Sequence, residues 1–314
     1  MALVWRSHGL SKINKVNMYK SGFKQRSFGI HFISILLVLC AQQAAAQSSV
    51  WKAEKNGRHI YLGGTIHLLT KADYPLPGEF DLAYNNSQIV YFETDIEKLK
   101  TPQFSVSVSK AFKATTKKSY TLDQALKPDT LLVLRAYLDK RKLKFGRFRN
   151  HSPGRVYLAL MSLELARKGL VGVGVDEHFA KRARLDKKRQ NKFETIDEHL
   201  SLLSKLSGGS PDQMILKGLQ DMQNISATVA GLKKIWRSGD REQLRNLVLN
   251  PYKQDYPSAY QILLQDRNNQ WMPKIEGLFQ TAEVEFVLVG AMHMIGQGGI
   301  LQRLEAKGYK VEPL

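Results

Sequence analysis

The sequence predicts a mixed α/β (α+β) domain: a mixed β-sheet core contributed by both ends of the chain, wrapped by helices from its middle. Three observations carry this. β-rich apolar runs gather at the front (RHIYLGG, 58–64; SQIVYFETD, 87–95) and at the back (EVEFVLVGAMH, 283–293; YKVEPL, 309–314). Between them, apolar residues recur at three- and four-residue spacing. No low-complexity linker divides residues 47–314, so a single domain is expected.

The helical middle is read segment by segment. TLDQALKPDTLLVLRAYLDKR (121–141) is periodic but interrupted by Pro128. SPGRVYLALMSLELARKG (152–169) opens on a serine cap and a proline and closes on Gly169. SPDQMILKGLQDMQ (210–223), SGDREQLRNLVL (238–249) and PSAYQILLQDRNNQWMPKIEGLF (257–279) continue the pattern. At the end, EFVLVG is a buried strand stopped by Gly290, GGILQRLEAKG is a helix closed by Gly308, and YKVEP returns as a strand. That order is a βαβ unit.

The first 46 residues differ from the rest. Lys20, Lys24 and Arg26 precede the apolar IHFISILLVLC (30–40), and AQQAAAQSS follows. This is the order of a secretory signal, with cleavage expected after Ala46 and Met18 as a candidate start. The apolar run is short for a permanent membrane anchor. The expected location is therefore periplasmic or secreted. The single cysteine, Cys40, falls inside this segment. A mature chain of 47–314 would carry no disulfide, zinc–cysteine cluster or thiol nucleophile.

Six of the 47 Lys and Arg lie in residues 1–46, leaving 41 against 28 Asp and Glu, a net of about +13. Nucleic acid is not an expected partner, because the basic stretch KRARLDKKRQNK (181–192) has no interleaved aromatics and reads as a solvated face. The charge does favour weak association with an acidic envelope surface.

The chemistry-bearing pattern is a repeated G-x-x-H, GTIH (64–67) and GAMH (290–293), each closing a β-rich run. Composition alone gives roughly 0.6 such matches, so position rather than the motif itself carries the signal. In α/β sheets, ligands gather outside the carboxyl ends of strands, where glycine lets the backbone approach closely. Gly64 and Gly290 take that backbone role, Gly63-Gly64 being expected to end its strand. Glu93 falls at the matching place after QIVYF, and Glu194 stands in KFETID (192–197), an echo of YFETD (91–95). His67, His293 and Glu93 make a ligand set suited to Zn, Mn, Fe or Co with an open position for water. Such an ion would activate that water, and a second carboxylate could take its proton.

A plainer reading stands beside this one. Both histidines could be core residues bonded to backbone, and the carboxylates turn or cap residues. His178 is expected to pack or cap, His199 to lie on a helix surface, and Arg267 to be solvated or paired near the end of a helix. No G-x-S-x-G, H-E-x-x-H, Walker A or G-x-G-x-x-G occurs, so serine-hydrolase and nucleotide-binding classes have no signature here.

With YLGGTIHLL, IVYFETD, GVGVDEHFAKRA, FETIDEHLSLLSKL, LLQDRNNQWMPKIEGL and FVLVGAMHMIGQGGILQRLEAKGYKVE in view, residues 50–314 resemble the TraB/PrgY/GumN family, which includes the Tiki proteases. The resemblance implies a fold related to the erythromycin-esterase and ChaN groups. It also implies a metal site built from His67, His293 and Glu93. It adds Glu194 as a candidate base and Arg267 as a stabiliser of developing negative charge. The implied function is a periplasmic metal-dependent hydrolase acting on peptides or proteins. The alternative is an envelope binding protein holding a peptide signal, haem or another ligand in the same pocket, with Tyr61 and Met294 as candidate axial groups.

Overall fold

The structure is a computed structural model describing residues 48–114, 121–205 and 210–314; the expected signal segment, 1–46, lies outside them. Six strands form one sheet: β1 (Val50–Lys55), β2 (Arg58–Thr65), β3 (Ile89–Phe92), β4 (Arg189–Lys192), β5 (Glu285–Gly290) and β6 (Lys310–Pro313). Their order is β4-β3-β5-β2-β1-β6. β4, β3, β5 and β2 pair parallel, while β1 runs antiparallel to both β2 and β6. The mixed α/β class read from the sequence is therefore what the chain adopts.

Two details differ from expectation. β1 was not among the predicted strands. It pairs with β2 through a hairpin closed at Asn56-Gly57, both at positive φ, the conformation that an Asn-Gly turn supplies at low cost. The closing βαβ unit does form, but β6 pairs with β1, so β2 and β1 stand between it and β5.

Alternation along the strands sorts side chains onto two faces. On one face, Tyr61, Val90, Phe92, Phe286 and Leu288 pack with helices α1 (Gly78–Asn85), α2 (Val175–Leu185) and α3 (Ile225–Ser238) around Phe80, Phe179 and Trp236. On the other, Ile60, Leu62, Val287 and Val289 pack with α4 (Asp266–Leu278) and α5 (Ile300–Ala306) around Trp271 and Ile275. A third cluster, centred on Leu134, Leu160 and Met222, joins helices 128–140, 153–167 and 211–223.

Gly63 and Gly64 lie inside β2 and do not end it. A Cβ on Gly63 would stand 2.7 Å from Leu288 Cδ2, and one on Gly64 would stand 3.1 Å from Ala291 Cα. The glycines let β2 and the turn after β5 close on each other. That close approach puts the two G-x-x-H turns side by side at the carboxyl end of the sheet.

Candidate functional site

Thr65 pairs in register with Gly290, so His67 and His293 leave neighbouring parallel strands at the same end of the sheet. Glu93 follows β3 on the other side of β5. Glu194 follows β4, whose pairing with β3 continues past its end: the Phe193 and Glu194 amides donate to the Phe92 and Glu93 carbonyls, both at 3.0 Å. The FET echo is thus a spatial pairing, with the two glutamates adjacent. β4 is the edge strand and all four of its residues are exposed, which is why no apolar run leads into Glu194.

These residues converge on Arg267. Its side chain rises from the first turn of α4, directly after the π-helical turn Gln261–Gln265, and is only 6% exposed. Expectation had placed it near the end of its helix; the structure puts it at the start and buries it. Nη2 donates to Glu93 Oε2 at 2.5 Å and to Glu194 Oε1 at 2.7 Å, and Nε donates to Glu194 Oε2 at 3.0 Å. Nη1 donates to His293 Nε2 at 3.1 Å. The guanidinium also lies 4.5 Å over the Trp271 ring, which itself stacks against His293. Burying this cation is tolerable because two carboxylates and several hydrogen bonds compensate it.

His293 is buried and its tautomer is set by its neighbours. Nε2 accepts from Arg267, so Nδ1 carries the proton and donates to Asn268 Oδ1 at 2.7 Å. Asn268 Nδ2 donates in turn to the carbonyls of His293 and Gly298. Burial, helped by the Arg267 charge, pushes His293 down to about 3, keeping it neutral. Glu93 behaves oppositely. Burial opposes its ionisation, yet the Arg267 guanidinium and the Gly290 amide, which donates to Oε1 at 2.7 Å, hold it far below the usual carboxylate range. A Cβ on Gly290 would crowd that oxygen at 3.3 Å.

His67 sits apart from this cluster. Its side chain is 65% exposed, and Nδ1 bonds Asp176 Oδ1 at 2.9 Å. Desolvation where the ring meets the protein opposes its charge, although the rest of the side chain reaches water; the Asp176 carboxylate prevails, with Glu93 adding to it, and raises the imidazole to about 9. Water at the exposed edge screens that ion pair. His67 therefore feels Glu93 electrostatically but, among the described residues, bonds only Asp176.

Of the residues read from sequence, Glu93, Glu194, Arg267 and His293 come together, Gly64 and Gly290 line the turns, and His67 lies across from them. His199, expected on a helix surface, bonds Glu194 Oε1 through Nδ1 at 2.7 Å. His178 packs on Tyr74 and Phe179, outside the cluster. Tyr61 and Met294 are buried on opposite faces of the sheet. Asp176 and Asn268 were not found by sequence reasoning. Each stands beside a residue that was, and no spacing rule links Asp176 to His67 across 109 positions.

The donor types suit a divalent cation. Each imidazole has Nδ1 tied back to an oxygen acceptor, as metal-ligating histidines generally do. The arrangement does not suit one. The lone pairs of Glu93, Glu194 and His293 that face the centre are taken by Arg267, and a divalent ion would have to displace a guanidinium. Among the described residues, no group of three or more His, Cys, Asp or Glu stands as a metal site. A cleft of about 290 Å³ lined by Leu202, Lys205, Ile262, Asp266 and Gln270 reaches Arg267 from one side.

The sequence pattern that defines the TraB/PrgY/gumN family matches residues 49–313. The chain is also 22% identical over 251 residues to YbaP of Escherichia coli K12, a protein described as uncharacterised, covering 79% of this chain and 88% of that one. YbaP of Shigella flexneri matches with the same identity and coverage.

Proposed function

The chain belongs to the TraB/PrgY/gumN family, and from that premise we propose that it is a hydrolase of peptide bonds working in the periplasm or outside the cell. One observation carries the reading. A water-accessible imidazole, His67, stands within electrostatic reach of a fixed, half-buried carboxylate, Glu93, at the carboxyl ends of parallel strands. A charged proton donor and an anionic acceptor held on rigid elements are the parts an addition–elimination reaction at a carbonyl needs.

In this reading water attacks the peptide carbonyl carbon and its proton passes to Glu93. Nε2–H of His67 protonates the amine as the C–N bond breaks, and the proton on Glu93 returns to His67. Arg267 and Glu194 keep Glu93 in place and ionised. Pairing with Arg267 also makes Glu93 a weak base, so turnover in this arrangement is slow. The metal expected from the family resemblance stays a proposal of its own, requiring Arg267 to leave His293 Nε2.

A second reading has a specific observation behind it. Arg267 uses donors on all three of its nitrogens against Glu93, Glu194 and His293, as in a site that binds without turnover. The two readings part in one experiment. Residues 47–314 are assayed on a peptide library with and without added Zn, Mn, Co or Fe, with elemental analysis alongside. A hydrolase cleaves, and His67→Ala and Glu93→Gln each lower turnover by about 10²–10⁴-fold. Retention of peptides without cleavage under every condition would support the binding reading instead.

A further inference from the structure

His67 stands after β2, and Asp176 stands in the first turn of α2, more than a hundred residues away. The stretch between Leu170 and Asp176, VGVGVD (171–176), is shaped to bring them together. Gly172 and Gly174 pass so close to the turn after β2 that side chains there have no room. A Cβ on Gly172 would stand 2.1 Å from the Leu69 carbonyl oxygen, and one on Gly174 would stand 2.9 Å from His67 Cα and 2.8 Å from Asp176 Oδ1. The Val175 amide then donates to the Ile66 carbonyl at 3.2 Å, fixing the start of α2 against the backbone next to His67. Val175 is fully buried, and the Asp176 side chain is 10% exposed.

Asp176 is thus a buried carboxylate whose Oδ1 meets the solvent-facing imidazole of His67. Two glycines, one backbone hydrogen bond and one buried valine hold it there.

We propose that Asp176 is a positioning residue for His67: by accepting Nδ1–H it fixes the ring so that Nε2 is the nitrogen presented to a bound peptide. The role parallels that of Asn268, which holds Nδ1–H of His293. The inference rests on the hydrolase reading for its kinetic consequence, but the orientation of the ring is observable without turnover.

The experiment uses residues 47–314 with Asp176→Asn and Asp176→Ala, compared with the parent chain. Asn keeps an acceptor at Oδ1 and nearly the same volume, so it separates positioning from a failure to fold, which thermal unfolding checks. Two readouts are taken: the Nδ1–H proton resonance of His67 by NMR, assigned with His67→Ala, and kcat and KM on a cleaved peptide. Partners that orient a functional histidine are worth about 10–100-fold. Asp176→Ala is expected to abolish the slowly exchanging Nδ1–H signal and to lower kcat by that factor, with KM changed much less. Asp176→Asn is expected to keep the signal and recover part of kcat. An unchanged Nδ1–H signal in Asp176→Ala would overturn the proposal. If the parent chain cleaves nothing, the hydrolase reading fails while the NMR readout still decides the positioning role.

Discussion

The two G-x-x-H turns share a motif, leave adjacent strands and lie at one end of the sheet, yet their histidines live under opposite rules. His293 is 3% exposed, neutral, and held by Asn268 on one nitrogen and Arg267 on the other. His67 is largely exposed, charged, and held, among the described residues, by Asp176. Burial next to a cation makes one imidazole part of the framework, and a carboxylate neighbour makes the other a proton donor. Motif spacing therefore locates the histidines, and what they do is set by their neighbours.

Changing the buried turn should have the largest effect. Arg267→Met removes the cation that Glu93 and Glu194 share and leaves a buried and a half-buried carboxylate without their common partner. Breaking a buried pair from one side costs about 3–5 kcal/mol, which thermal or denaturant unfolding would register. Retained stability would mean the cluster is wetter and less coupled than its geometry says.

A smaller loss is expected for Asn268→Ala, which strands the Nδ1–H of His293, the buried His293 carbonyl and the half-buried Gly298 carbonyl. Each buried group left without a partner costs about 1–3 kcal/mol. Stability unchanged in that variant would break the symmetry drawn between Asn268 and Asp176.

The pH dependence of stability should carry both signs. His67 is raised to about 9, so its contribution is complete below the unfolded value of about 6.5 and is lost as pH rises toward 9. His293 is lowered to about 3, so its contribution is complete above about 6.5 and is lost as pH falls toward 3. Unfolding free energy measured across pH should therefore fall on both sides of neutrality. His67→Ala should flatten the alkaline limb and leave the acid limb alone.

The smallest effect is expected for His67→Ala on stability at about pH 10, above the value at which the imidazole gives up its charge and with it the ion pair to Asp176. An exposed side chain outside the core changes stability by about 0.5 kcal/mol or less. A loss comparable to that of Asn268→Ala would show that both turns are structural, and the contrast would collapse.

Much of this was legible in the sequence, unevenly. Strands buried on both faces wrote themselves as continuous apolar runs, so β2, β3 and β5 were found together with Glu93, His67 and His293. The edge strand β4 has solvent on its open side and carries RQNK, so only the FET echo pointed to Glu194. β1 was missed because VWKAEK looks unremarkable until the Asn-Gly turn after it is read as a hairpin. Gly63-Gly64 read as a strand stop because glycine ends strands more often than it fits inside them. What it serves, contact with Leu288 and Ala291, is a property of the folded sheet. Arg267 looked like a solvated helix residue, since no local pattern reports that two carboxylates 73 and 174 residues away will enclose it.

The contrast between the turns is tested most directly by an NMR titration of the two imidazoles in residues 47–314, assigned with His67→Ala and His293→Asn. His67 should stay protonated through neutrality and titrate near 9. His293 should stay in its neutral Nδ1–H form down to about pH 4, showing no change through the ordinary histidine range. If both rings titrate together near 6.5, their neighbours do not set them apart and the account of the site is wrong.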